Sequence, residues 1–143
     1  MQVETRQAKS EDAPFIALLS SDLGYEISVD KTRELINEIA RKDQYIIYVA
    51  TLENEIIGWI QAFITARLES GVFCEIGGMV VSEKHRGMGI GRLLVQEIKN
   101  WTSAKMVTVL KVRCNEKRMT THQFYLSTGF HETKTQKVFV MDL

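Results

Sequence analysis

Apolar positions along the chain recur with two periods, and the changes of period mark the elements. Val3 to Gln7 alternates and is β-permissive, so a first strand is expected there. Ser10-Glu11-Asp12 reads as a helix start with Pro14 in the first turn, where its missing N–H does no harm. Ile16, Leu19 and Leu23 follow at helical spacing, and Gly24 ends the segment. Asp30 reads as the cap of a second helix, because Thr32, Leu35, Ile36, Ile39 and Ala40 fall on one face. Tyr45 to Leu52 is β-branched and aromatic. Glu53-Asn54-Glu55 makes a turn, and Ile56 to Leu68 returns as the second arm of a hairpin. A further strand runs from Val72 to Val81. After a polar, glycine-bearing stretch, a helix carries Ile90, Leu93, Leu94, Ile98 and Trp101 on one face. Met106 to Val112 is apolar on both faces apart from Lys111, as a central strand is. Glu116 to Ser127 reads as a last helix stopped by Gly129, and Val138 to Leu143 as a closing strand. The order β-α-α-β-β-β-α-β-α-β predicts an α/β or α+β domain with a mixed sheet.

One proline and nine glycines interrupt the 143 residues, with no linker or repeat, so a single domain spanning 1–143 is expected. Eighteen basic residues balance eighteen acidic ones, which argues against a dominant nucleic-acid footprint. Two cysteines, Cys74 and Cys114, and three histidines are scattered, without the paired spacing of a zinc site, so no metal is expected. Residues 1–6 lack the apolar run of a targeting segment, and the longest apolar stretches fall far short of a membrane span. No membrane partner is expected, and the setting expected is cytoplasmic.

Candidate chemistry concentrates at residues 80–94. Val80-Val81 leads through Ser82-Glu83-Lys84-His85-Arg86 into Gly87-Met88-Gly89-Ile90-Gly91, then directly into the helix beginning near Arg92 and Leu93. A helix start offers unsatisfied N–H groups and partial positive charge, and side-chain-free positions let an anion approach them. A dinucleotide fingerprint fails, because Arg92 stands where its third glycine belongs. A P-loop fails for want of any Gly-Lys pair. The pattern R-x-x-G-x-G is met by Arg86, Gly89 and Gly91, which leaves a pyrophosphate arm or a ligand-free glycine turn.

With the strand Glu75-Ile76-Gly77-Gly78-Met79-Val80-Val81 before it, this loop resembles the acetyl-CoA motif of the GCN5-related N-acetyltransferase (GNAT) superfamily. A second block, Asn115 to Phe130, is similar to that family's N-x-x-R-x-x-A-H-x-F-Y-x-x-x-G-F, with Thr121 where alanine is usual. The resemblance implies the acyl-CoA N-acyltransferase fold, in which the strand Val72–Val81 splays from its parallel neighbour Met106–Arg113. It implies acetyl-CoA as cosubstrate and an N-acetyltransferase working by direct transfer in a ternary complex. A non-catalytic acyl-CoA-binding module and a protein amine acetyltransferase are the alternatives.

By the same resemblance, Met79, Val80 and Val81 lend backbone groups to pantetheine and the thioester carbonyl. Arg86, Gly87, Met88, Gly89, Ile90, Gly91, Arg92 and Leu93 surround the pyrophosphate. Asn115 meets pantetheine, or caps the helix that follows it. Glu75 stands at the family's base position, or is a strand-face carboxylate; Glu69 and Asp22 are substitutes. Tyr125 resembles the family's general acid, its ordinary pKa of about 10 suiting a departing thiolate. His122 reads as a histidine satisfying a backbone carbonyl. Tyr25, Glu26, Trp59 and Asp22 are candidates for an acceptor pocket, the acceptor being a small-molecule or peptide amine. A homodimer is left open.

Overall fold

The computed structural model describes residues 2–143. Two compact units divide it, Met1–Val112 and Arg113–Leu143. The first contains β1 (Val3–Gln7), α1 (Ala13–Ser21, entered through a 3-10 turn at Ser10–Asp12), α2 (Val29–Ala40), β2 (Tyr45–Leu52), β3 (Glu55–Arg67), β4 (Gly71–Val81), α3 (Ile90–Ala104) and β5 (Leu110–Val112). The strands form one sheet in the order β1-β2-β3-β4-β5, antiparallel except for the parallel β4–β5 pair. This is the mixed sheet expected. Among the described residues, no helix is long and apolar enough to cross a membrane.

Local chemistry explains each boundary. Glu53 and Asn54 both take positive φ (51° and 68°), and Leu52 pairs with Glu55. That is a two-residue turn whose twist matches the strands it joins. The cap of α2 is Ser28, not Asp30: the Lys31 N–H donates to the Ser28 hydroxyl over 3.0 Å. An Asp at the first turn still favours the helix dipole, so the misplacement is by two residues and not in kind. Leu23 falls beyond α1. At its start, Arg6 donates twice to the Asp12 carboxylate (2.7 and 2.9 Å), which also accepts the Lys9 N–H. Burial alone raises the Asp12 carboxyl, but these donors outweigh it and hold it below its ordinary range.

Helices cover both faces of the sheet. Ala13, Ile16 and Ile36 of α1 and α2 pack on Val49, with Ile47 and Trp59 beside it. On the opposite face α3 buries Ile90, Leu94, Val95, Ile98 and Thr102. Leu93 is exposed, so the stripe runs one residue off the expected one. Contact with α3 depends on Gly58, where an added Cβ would lie 3.1 Å from the Val80 carbonyl oxygen and 3.2 Å from Ile90.

Two strand expectations change. From Met106 to Val112 only Leu110–Val112 is β, at the end of the sheet, because Met106 takes positive φ (61°) to leave α3. Val138–Leu143 holds no strand.

The second unit carries α4 (Met119–Ser127). It begins three residues later than expected, since the Asn115 side chain accepts the Lys117 N–H and makes a turn first. It ends as expected: Gly129 has φ 106°, Phe130 N–H reaches the Tyr125 carbonyl and Gly129 N–H the Leu126 carbonyl.

Candidate active site

Strand β4 has two different halves. Cys74 to Ile76 is paired on both sides, by β3 and by β5. From Gly77 to Val81 the pairing comes from β3 alone, and no strand among the described residues lies on the other side. Backbone N–H and C=O groups along that edge suit an extended ligand. Gly77 is the extra residue of a bulge opposite Gln61 and Ala62. The bulge reverses the alternation, so Val80, opposite Trp59, shares the face of Glu75, opposite Phe63. Gly78 is required by packing: a Cβ there would meet the Trp59 ring at 3.1 Å.

The strand stops because Ser82 N–H donates to the Ile57 carbonyl and the chain turns through a 3-10 segment at Glu83–His85. Gly87 and Gly89 then take left-handed φ, 81° and 80°, with open space where a Cβ would be. Glycine is needed here for backbone conformation. Gly89 is the N-cap of α3, and without a side chain it leaves the first-turn amides uncapped. No carboxylate lies in that turn. Arg86 and Met88 are exposed, while the Ile90 side chain is core and its amide faces the helix start. His85 Nδ1 is enclosed without a hydrogen-bond partner among the described residues. The exposed amides, left-handed glycines and open β4 edge fit a ligand with a phosphate group and an extended arm.

Glu75 is half-buried in a cross-strand row with Tyr45, Phe63 and Lys111. A cleft of about 250 Å³ is lined by Leu19, Asp22, Leu23, Val81, Ser82, Glu83 and Lys84. Of the four residues expected to line an acceptor pocket, Asp22 is at this cleft. Trp59 is used elsewhere: its indole N–H donates to the Ser20 hydroxyl at 3.2 Å.

Asn115 and Tyr125 are carried by the second unit. Tyr125 is 7% exposed and sits edge-on to Phe124 and Phe130 (5.1 and 5.4 Å between ring centres). The glycine stop folds Phe130 back onto the helix and so builds this wall. Burial, then the neighbouring Cys114, pushes the phenol up to about 12, against a smaller opposing effect of Arg118. The ordinary value expected from sequence is therefore exceeded. His122 Nε2 lies 2.8 Å from the Asn115 carbonyl oxygen, the structural role expected of it. Both cysteines are free, and burial raises both thiols.

Comparison with known proteins agrees with this geometry. The model of the acetyltransferase (GNAT) family matches residues 13–130. The chain belongs to that family. Its fold is shared with AAC(6')-Iy, solved in complex with the bisubstrate analogue CoA-S-monomethyl-acetylneamine (17% identity, all of both chains covered, TM-score 0.87). It is also shared with the aminoglycoside 6'-N-acetyltransferase AAC(6')-Ih from Acinetobacter baumannii (17% identity, 99% of each chain, TM-score 0.87). A GNAT family acetyltransferase from Staphylococcus aureus is similar too (17% identity, 99% of this chain and 100% of that one, TM-score 0.81). Among curated proteins, no sequence matches the chain. Within this acetyltransferase, Ser28, Gly58, Gly78 and the Arg6–Asp12 clamp position the elements, and sequence reading passed over each. Gly58 and Gly78 sit inside strand patterns, the one signal that could have marked a close approach.

Proposed function

We propose that this acetyltransferase moves an acetyl group from acetyl-CoA to a primary amine directly, in one ternary complex, as a single domain spanning 1–143. The observation that carries the reading is the left-handed glycine loop opening onto the uncapped start of α3, inside the family match. Bound acetyl-CoA supplies an activated thioester acyl group. Amides from Gly87 to Leu93 hold the pyrophosphate, helped by the cationic heads of Arg86 and Arg92. The backbone of Met79, Val80 and Val81 offers strand-like partners to pantetheine and a donor to the thioester oxygen. Asn115 adds a pantetheine contact. Glu75 takes the proton that the attacking ammonium must lose. Tyr125 gives one to the departing sulfur; its raised pKa keeps the phenol protonated throughout the physiological range.

Raised thiol pKa values support direct transfer, since neither Cys74 nor Cys114 offers a ready thiolate to carry the acetyl group. Asp22 and Glu83 outnumber the single cation Lys84 at the cleft, which favours a cationic acceptor. The two thiols are free, in keeping with a reducing cytoplasm.

Calorimetric titration with acetyl-CoA, followed by thiol release across amines including aminoglycosides, polyamines and peptide N-termini, tests the reading. Saturable binding and turnover with at least one amine are expected. Binding without turnover on any amine would make the chain an acyl-CoA-binding module, and no binding would overturn the loop assignment.

A further inference from the structure

Asn115 is exposed and lies outside every helix and strand, yet three donors fix it. Its main-chain carbonyl accepts the Arg118 N–H at 3.0 Å and faces the His122 Nε2 at 2.8 Å. Its side-chain oxygen accepts the Lys117 N–H at 2.9 Å. A carbonyl oxygen can only accept, so the ring hydrogen sits on Nε2 and His122 is the donor. The His122 backbone is anchored in turn, its N–H donating to the Arg118 carbonyl at 3.1 Å at the start of α4. With its oxygen held by Lys117, the Asn115 carboxamide is oriented to offer its Nδ2 hydrogens to a ligand. Every group named here belongs to the second unit, so the arrangement is complete within it.

We propose that His122 is a positioning residue for acetyl-CoA, its ring pinning the Asn115 turn so that the Asn115 Nδ2–H meets an amide carbonyl of pantetheine. This rests on the pantetheine contact in the function proposed above and deepens it. Residues 115–120 are all exposed, so core packing does not hold the turn. The half-buried His122 ring ties it to α4 instead. A turn that had to be ordered at the moment of binding would cost affinity, and the ring orders it beforehand. His122 itself touches neither cosubstrate nor acceptor in this role.

Calorimetric titration of the full chain with acetyl-CoA tests the proposal, with circular dichroism checking each fold. His122→Leu removes the donor at similar bulk and should weaken acetyl-CoA by roughly three- to tenfold. His122→Gln carries an N–H at about the reach of Nε2 and should stay within about twofold of wild type. Adenosine 3′,5′-bisphosphate, a coenzyme fragment without the pantetheine arm, should bind His122→Leu as it binds wild type. In an Asn115→Ala background His122→Leu should add less than about twofold, because the side chain it acts through is gone. With an amine that turns over, the acetyl-CoA KM should rise while kcat holds, although Tyr125 lies only three residues further along α4. Losses that add in full in the double variant overturn the proposal, as does unchanged affinity in folded His122→Leu. Unchanged affinity in Asn115→Ala would instead remove the pantetheine contact from the proposed function, and this inference with it. Should His122→Leu fail to fold, ¹⁵N spectra of the unaltered chain decide. The His122 ring should carry its hydrogen on Nε2, and the Asn115 Nδ2 signals should shift with acetyl-CoA. A neutral ring protonated on Nδ1, or Asn115 signals that stay in place, would overturn it.

Discussion

Around Gly87 and Gly89 the chain is exposed, left-handed and bare of Cβ atoms, whereas around Tyr125 it is helical, buried and walled by two aromatic rings. The first region offers main-chain amides, which any residue supplies if the backbone can be bent correctly. The second offers one hydroxyl, which only one side chain supplies. On the function proposed, binding in the loop would be a matter of conformation, and proton transfer at the helix a matter of chemical identity. Substitutions separate them.

Tyr125→Phe keeps the ring and its packing, so acetyl-CoA affinity and fold should persist while kcat falls by roughly 10²–10⁴. A donor with a more acidic thiol should partly rescue this variant and not Glu75→Gln, whose defect lies with the incoming amine. Steady-state kinetics with paired donors would measure it. Equal rescue of both variants would remove the division of roles.

The same tyrosine links stability to alkali. Its pKa is about 10 unfolded and about 12 folded, so its contribution is fully present below pH 10 and is lost as pH rises through 12. The size is on the order of 2–3 kcal/mol. Denaturant titrations between pH 9 and 12 should show wild type losing stability across that window and Tyr125→Phe losing less.

Gly58→Ala sharpens the contrast from the packing side. Its Cβ meets a backbone carbonyl oxygen at 3.1 Å and two α3 side chains, so overpacking should cost about 1–3 kcal/mol in urea unfolding. A Cβ at Gly89 meets nothing within 4 Å, so the harm of Gly89→Val should be local. Strain at φ 80° and a methyl-bearing surface over the amides should weaken acetyl-CoA at least tenfold, about 1.4 kcal/mol. Unchanged calorimetric affinity in folded Gly89→Val would sink the loop assignment.

The smallest effect expected is at Cys114. Cys114→Ala should keep kcat within about twofold, because a half-buried thiol with raised pKa is a poor nucleophile. Incubation with acetyl-CoA alone, read by mass spectrometry, should show no acetylated enzyme. A transfer-competent acetyl-cysteine would overturn direct transfer.

What was legible in the sequence was what neighbours along the chain decide. Period two and period 3.6 marked β1 to β4, α2 and α3, and Gly129 marked the end of α4, because these depend on side-chain spacing and local φ. Glycine at 87, 89 and 91 marked a loop free of side chains before α3; the left-handed φ of Gly87 and Gly89 came from the folded chain. The run Arg86-Gly87-Met88-Gly89-Ile90-Gly91, with the strand Glu75–Val81 before it, and the Asn115–Phe130 block carried the family. Only the folded chain decided the rest. Ser28 took the cap from Asp30 because its hydroxyl accepts the Lys31 N–H, which leaves Asp30 inside the first turn. Leu93 lost its place in the core to Val95, since the rotation of α3 is set by the sheet beneath it. Gly58 and Gly78 earn their roles from Ile90 and Trp59, residues 32 and 19 positions away. The pKa of Tyr125 rose because the folded chain buries its phenol and sets Cys114 beside it. And Val138–Leu143, whose apolar, β-forming run reads as a closing strand, holds none. A periodic pattern states that a segment can pair, but a partner with an open edge is a property of the assembled sheet.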